Sequence, residues 1–262
     1  MVRKSFCLAA VLMFCNACLG SYSEGERLFR SARYQEAIGE FSRSLFLNVN
    51  DLKTLHLRAR SYEELGEFEK AVEDYRTILY HEPTYAQALA GIGKIFWKKE
   101  DYKNAEKYLL LAAKQDGEDF EILLLLGRAM LMNENYNSAD EFLQLAKELN
   151  PKHAGVYFYQ GMARSQIGDV LGAAGSFNMC LKYDPENLTA RYNRGLVLLL
   201  IGHTTWALED FETILQSNPS HIEALARRGH AKIRLQDPSG CADLQQAAHK
   251  GSLYAQLHLD GC

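Results

Sequence analysis

An alanine recurs every 34 residues along this chain, at Ala37, Ala71, Ala105, Ala139, Ala173 and Ala207. Four residues after each stands a large apolar residue: Phe41, Tyr75, Leu109, Leu143, Phe177 and Phe211. Twelve residues before each stands a small one, Gly25, Ala59, Gly93, Gly127, Gly161 and Gly195, and Gly229 continues the column. Twelve residues after, proline appears at Pro83, Pro151, Pro185 and Pro219, with Val49 and Gly117 in the other two units. No insertion or deletion shifts the phase over six units, and a seventh follows with Cys241 in the alanine column. A fixed period of this length is the mark of stacked supersecondary units, and it constrains the fold before any other feature is considered.

Each unit reads as two helices. The small residue of the first helix and the alanine of the second let the helices cross closely, because small side chains shorten the interaxial distance. The large residue four positions on lies on the same face and fills the neighbouring gap. Gly66, Gly168 and Gly202 fall at the turn between the helices, where a positive φ costs glycine little. Proline at the unit junction cannot continue a helix. One such pair cannot bury its own apolar face, so neighbours must stack. These columns are read as packing, not as a cofactor box.

The columns resemble the tetratricopeptide repeat family, whose 34-residue pattern carries Leu-Gly, Tyr, Ala, Phe and Pro at these offsets. The resemblance covers about residues 18–251. It implies an all-α fold, a right-handed superhelical α-solenoid of about seven two-helix units closed by a short C-terminal helix. The expected units run about 18–51, 52–85, 86–119, 120–153, 154–187, 188–221 and 222–251, with 252–262 as the capping helix. The tail from Cys241 to Cys262 resembles an ending found in many bacterial members. In the fifth unit, Gly172-Ala-Ala-Gly175 is unusually small and is expected to allow close helix approach, at a cost of ~1 kcal/mol per glycine in helix propensity.

Residues 1–17 read as an export signal. Arg3 and Lys4 give the positive start, and Phe6 to Phe14 is a short apolar core, too short to span a bilayer comfortably. Ala17 then precedes Cys18, which resembles the lipobox of bacterial lipoproteins, where the cysteine carries lipid. Cys15 departs from that pattern where leucine is usual, as does Asn16. Lipidation at Cys18 leads the reading; ordinary cleavage near Ala17 or Gly20 and an uncleaved anchor stand beside it. The expected location is periplasmic, or the outer membrane through the lipid. Ser21-x-x-Glu24 and Ser23-x-x-Glu26 are capping-box patterns that start the first helix near residues 21–23. The formal charge of −4 becomes −6 without residues 1–17, as Lys plus Arg falls from 29 to 27 against 33 acids. With no basic block, nucleic acid is excluded as a partner class.

Three of the six cysteines, Cys7, Cys15 and Cys18, belong to the signal region. Cys15-x-x-Cys18 lacks the βαβ context of a redox motif. Cys180 falls in a buried small column. Cys241 opens one predicted helix and Cys262 closes the next, so antiparallel helices bring them within the ~4.4–6.8 Å Cα separation a disulfide needs. The alternative is a buried small Cys241 and a free C-terminal thiol.

No H-E-x-x-H, G-x-S-x-G or Walker loop occurs. Gly91-Ile-Gly93-Lys lacks the third glycine of a dinucleotide loop and falls in a predicted helix. The eight histidines are scattered without ligand spacing, and Asn187-Leu-Thr189 matches a glycosylation sequon by pattern alone. No cofactor, metal or catalytic residue is expected, and the chain is read as non-enzymatic. Acidic residues on the second helices are read as a solvated face. In the family resembled, first-helix residues line a concave groove, and an asparagine at the position of Asn193 often bonds a ligand's backbone. Projected onto this chain, the groove carries Arg60, Lys94, Lys98 and Arg128 around Trp97, then Phe158, Met162, Tyr192, Leu196 and Leu199. That is a basic end and an apolar end, suited to an extended or helical protein segment with acidic and hydrophobic residues, although part of it is expected to be buried between helices. The Lys/Asn/Arg carboxylate clamp of chaperone-binding members is not reproduced. The resulting expectation is a cell-envelope scaffold for protein partners, in pilus or outer-membrane assembly. The alternative is a binding module for cell-wall glycan or a small ligand.

Overall fold

The computed structural model describes residues 22–259 and Cys262. The export signal of residues 1–17, Cys18 and Ser21 lie outside the described residues. The described residues form fifteen helices and no strand: α1 Tyr22–Arg30, α2 Tyr34–Leu47, α3 Leu52–Glu64, α4 Phe68–His81, α5 Ala86–Lys98, α6 Tyr102–Gln115, α7 Phe120–Met132, α8 Tyr136–Leu149, α9 Ala154–Gln166, α10 Val170–Tyr183, α11 Leu188–Leu200, α12 Thr204–Ser217, α13 Ile222–Arg234, α14 Ser239–His249 and α15 Leu253–Leu257. The fold is all-α, built of repeated helix pairs of the α-solenoid kind. Two compact units divide the chain, one ending at Ala129 and one starting at Met130, with the boundary inside α7. None of the described helices is long and apolar enough to cross a membrane.

The alanine column is fully buried at all six positions, and the large apolar residues four further on are no more than 1% exposed. The small and large columns meet directly. A Cβ built on Gly161 would stand 2.6 Å from the Phe177 ring, and one on Gly195 would stand 2.8 Å from Phe211. Both spacings are sixteen residues, the step from the first helix of a unit to the second. Glycine there is what allows an aromatic ring to lie against the backbone of its partner helix.

The turns are more regular than their sequences. Ala32, Gly66, Glu100, Glu134, Gly168, Gly202 and Gln236, one per unit, all have positive φ between 56° and 83°. After most of them the next amide reaches back to close the first helix, as in Glu67 N–H to Tyr62 C=O at 2.9 Å and His203 N–H to Leu198 C=O at 2.9 Å. This is the glycine-type helix ending, here imposed on four residues that are not glycine.

Two packing expectations hold only in part. The helices α9 and α10 do pack closely, with Ala173 and Ala174 buried, but nothing lies within 4 Å of a Cβ built on Gly175, which opens onto a groove. Gly172 instead leaves room for the Asp169 carboxylate, which accepts the Gly172 N–H and caps α10. The acids of the second helices are not uniformly solvated either. Asp74, Asp210 and Asp243 are buried, and each takes a two-pronged hydrogen bond from an arginine of the preceding helix: Arg58, Arg194 and Arg228 respectively. Charged pairs at this depth persist because both partners are satisfied.

At the C-terminal end, α15 falls within the expected 252–262 as Leu253–Leu257. Ser252 caps it by accepting the Ala255 N–H. Cys241, at the start of α14, is disulfide-bonded to Cys262, with Cα atoms 5.5 Å apart. Cys180 is a buried thiol, its pKa pushed up to about 11 by burial. Asn187 of the sequon caps α11 by accepting the Ala190 N–H.

Candidate functional site

In the unit that ends at Ala129, a cavity of about 340 Å³ opens on the first helices α3, α5 and α7. Arg60 and Lys94 line it, as expected from their shared column, and both are exposed. They are not alone: Glu64, Asp119 and Glu121 line it too. The basic end is therefore corrected to a face of mixed charge. Asp119 is partly committed, since its carboxylate accepts the amides of Glu121 and Ile122 at the start of α7. Beneath the charges, Glu63 is buried and accepts a hydrogen bond from the Tyr75 hydroxyl. Burial raises the Glu63 carboxyl above its ordinary range. His56 sits beside them, and burial, then the positive charges of Arg60 and Lys94, hold its pKa down to about 4.

The other expected basic residues are engaged with rings of their own chain. The Arg128 guanidinium lies 4.6 Å over Trp97, Arg60 lies 5.0 Å over Phe29, and the Lys98 ammonium is 5.5 Å over Phe68. Trp97 also packs on Tyr102, with ring centroids 5.1 Å apart. Trp97 and Arg128 are half-buried, while Lys98 is exposed. Cation–π contacts of this kind hold a cation in place at little loss of charge.

In the unit that starts at Met130, a second cavity of about 420 Å³ opens among α11, α13 and α15. Leu196 lines it, with Leu199 and Leu200. Leu200 is 77% exposed, whereas Leu199 is buried apart from its share of the wall. Of the remaining expected residues, Met162 is exposed and Asn193 is half-buried. Phe158 packs at a tilt against Phe177 at 6.2 Å, and Tyr192 packs on Phe211 and His221 at 5.9 and 5.5 Å. Phe158 and Tyr192 thus belong as much to the core as to a face.

Sequence reasoning missed the opposite wall of this cavity: Arg227, His230, Arg234 and Tyr254. His230 stands 34 residues after Leu196, in the column that holds Arg60, Lys94, Arg128 and Met162, so the period alone points to it. Tyr254 carries no such signal, because it lies beyond the last repeat. Its ring stands 3.4 Å from the Arg227 guanidinium, and its hydroxyl is 2.8 Å from His230 Nδ1. Burial, with Arg234, His258 and Arg227 nearby, lowers the His230 pKa below its ordinary value.

A third groove, of about 480 Å³, runs between α10 and the α11–α12 pair of the same unit, over Ala174 and Gly175. Trp206 stands at its rim, 57% exposed and stacked on His203 at 4.7 Å. Asn178 and Glu209 supply its polar edge.

Known proteins share this architecture. The sequence profile of the tetratricopeptide repeat family matches residues 56–119 and 91–154. The outer dynein arm-docking complex subunit 4 of Mus musculus is 28% identical over 83 residues, 32% of this chain. The Hsp70-Hsp90 organizing protein 1 of Glycine max is 24% identical over 100 residues, 38% of this chain. The chain spans only 13% and 18% of those two proteins' lengths. Among solved structures, YrrB, described as a TPR protein with an unusual peptide-binding site, is 27% identical and superposes with a TM-score of 0.68 over 73% of this chain and 97% of its own. PilF of Pseudomonas aeruginosa superposes at 0.64 with 18% identity, covering 80% of this chain and 97% of its own. MamA does so at 0.60 with 21% identity, covering 66% and 95%. The profile match spans residues 56–154, and the 34-residue register it recognises holds from Ala37 to Ala207 with its columns buried as that register requires, so the chain has the architecture of a tetratricopeptide repeat protein.

Proposed function

We propose that this chain is a non-enzymatic scaffold of the cell envelope that holds segments of a partner protein against the first-helix faces of its repeats. The observation that carries the reading is that a cavity opens on first helices in each unit. Both cavities use the same repeat columns, Arg60 with Glu64 in one and Leu196 with Leu200 in the other. Repeat proteins of this class bind proteins, and the peptide-binding site of YrrB supports a segment as the ligand form. Export, with a lipid on Cys18, is supported by the charged start, the apolar core and the Ala17-Cys18 junction. A disulfide at Cys241 and Cys262 fits an oxidising compartment. The narrowest form of the reading, assistance to pilus or outer-membrane assembly, rests on architecture alone.

The test is photo-crosslinking in cells from Lys94, Met162 and Leu200, with a control probe at Glu73 on a second helix. Capture of one envelope protein from the first-helix positions and not from the control is the expected result. Equal capture from Glu73 sinks the reading. The mass of the mature N-terminus tests export: an acylated Cys18 is expected, and an unmodified Met1 start contradicts it.

The groove under Trp206 favours a second reading. An exposed indole backed by His203, beside the amide of Asn178 and the carboxylate of Glu209, is a surface on which a sugar ring could stack and hydrogen-bond. Binding of cell-wall glycan lost in Trp206→Ala, with no protein captured, would move the function to that class.

A further inference from the structure

The cavity among α11, α13 and α15 has a lining of unusual charge. Leu196, Leu199 and Leu200 form one wall, and Arg227, His230, Arg234 and Tyr254 the other, so none of its lining residues is acidic. The nearest acid along α13 is Glu223, one turn before Arg227. Arg234 is held in place by a 2.7 Å hydrogen bond from Nη1 to the Leu199 carbonyl. The face of the Arg227 guanidinium is covered by the Tyr254 ring. Its Nε is buried and donates to no acceptor. A buried donor without an acceptor is a cost the fold carries. One part of the Arg227 N–H edge is hydrogen-bonded to Tyr192, and a guanidinium so fixed by a ring and a hydroxyl holds its remaining N–H groups in the fork geometry that suits a carboxylate.

We propose that this cavity receives a carboxylate flanked by bulky apolar side chains on the partner segment, with Arg227 and Arg234 facing the carboxylate and the three leucines facing its neighbours. The proposal rests on the protein-segment reading given above. The leucine wall selects the occupant: a bare phosphate would leave Leu200, 77% exposed, still in water, whereas an acidic residue between apolar ones covers it. The repeat pattern supplies the two walls of the site but not what closes it. Its roof, Tyr254, sits on a five-residue helix beyond the last pair. That helix is held by the Tyr254–His230 hydrogen bond, by the edge contact of His258 with the His230 ring at 5.5 Å, and by the bond from Cys262 to Cys241. The disulfide is thereby a positioning device for the site.

The experiment is a titration of the oxidised full chain with the acetylated, amidated tripeptide Leu-Glu-Leu, reading the His230 ring by NMR. Leu-Gln-Leu, Ala-Glu-Ala and inorganic phosphate are titrated in parallel. Leu-Glu-Leu is expected to shift the ring signals saturably and to raise the His230 pKa, because an anion beside Arg227, Arg234 and His258 relieves their repulsion. Leu-Gln-Leu and Ala-Glu-Ala should each bind about tenfold more weakly, a difference of about 1.4 kcal/mol. Arg227→Gln and Cys262→Ser should weaken binding by about the same factor, and Lys152→Gln, an exposed cation outside both cavities, should leave it unchanged. Arg227→Lys, which keeps the charge and loses the fork, guards against misfolding: far-UV circular dichroism should match the parent, with intermediate affinity. Equal binding of Leu-Gln-Leu, phosphate binding as tightly as Leu-Glu-Leu, or no response of His230 at about 10 mM peptide, well above a ~1 mM dissociation constant, overturns the assignment. The crosslinks from Lys94 and Met162 distinguish the two failures. Protein captured there while His230 stays silent removes only this site, and no capture removes the scaffold reading beneath it.

Discussion

Asp210 is 2% exposed, yet its carboxylate is held by Arg194 and approached to 3.6 Å by Arg191. The Arg58–Asp74 pair occupies the same two columns four units earlier, and Arg228–Asp243 repeats it with a spacing of fifteen. The third unit places Ile92 and Tyr108 in those columns, and both pack in one apolar cluster. The chain thus contains both solutions to one site, a buried ion pair and an apolar pair. Breaking a buried pair leaves an uncompensated charge, whereas replacing both partners need not cost anything. Asp210→Ala should therefore cost about 3–5 kcal/mol by urea unfolding, while Arg194→Ile with Asp210→Tyr should stay within about 1–2 kcal/mol of the parent. A double variant as unstable as the single would contradict the substitution that the third unit displays. His56 makes a pH prediction. Its folded pKa, about 4, lies below the ordinary 6.5, so the unfolded chain binds the extra proton first. Its contribution to stability is fully present above pH 6.5 and is lost as the pH falls toward 4. The urea midpoint of the parent should drop more steeply than that of His56→Gln between pH 7 and about 4.5, and parallel curves would show that His56 is not the group responsible.

Elements obey the period more strictly than residues do. Four of the seven inter-helix turns were legible, three as Gly66, Gly168 and Gly202 and one as the run Gln236-Asp-Pro-Ser-Gly240. The others were hidden, because Ala32, Glu100 and Glu134 adopt positive φ only where the helices on either side fix the chain. A left-handed conformation costs a non-glycine residue roughly 1–2 kcal/mol. Glu100→Gly, Glu134→Gly and Gln236→Gly should therefore each raise stability by up to about 1 kcal/mol once the unfolded-chain entropy of glycine is set against the relief. Thermal midpoints of the three would show it, and a fall in all three would mean the turns carry no strain. Glycines inside helices were the ambiguous signal, since a small residue marks either a close approach or an open space. Gly161 is the first kind, against Phe177, and Gly175 is the second. Gly161→Ala should destabilise by about 1–3 kcal/mol through overpacking, while Gly175→Ala should stabilise by about 0.5–1 kcal/mol through helix propensity. The same limit applies to the candidate site. Arg60, Lys94 and Leu196 were readable from their column, Arg227 and His230 only in hindsight of it. Tyr254 was not readable at all, because no periodicity reaches it.

On the scale of the whole molecule, the repeat pattern has a consequence for how stability is distributed. In a repeat chain each pair leans on its neighbours, so a local perturbation should stay local. Among the described residues the last pair is followed by α15 alone, which packs on α13 and α14 and at five residues is too short to hold itself. The Cys241–Cys262 bond, 21 residues apart in sequence, compensates at that end. Closing a loop of this size removes roughly 3 kcal/mol of unfolded-chain entropy in the chain-entropy account. Reduction, or Cys262→Ser, should then raise amide hydrogen exchange in α15 and α14 by one to two orders of magnitude, as a local loss of about 1.4 kcal/mol per tenfold requires. The helices α3 to α6, in the other compact unit, should exchange as before. If α3 to α6 loosen together with α15, the nearest-neighbour account fails for this chain and its units unfold as one. If α15 is unmoved, then the hydrogen bond of Tyr254 to His230 and the Ser252 cap hold the terminal helix without the disulfide.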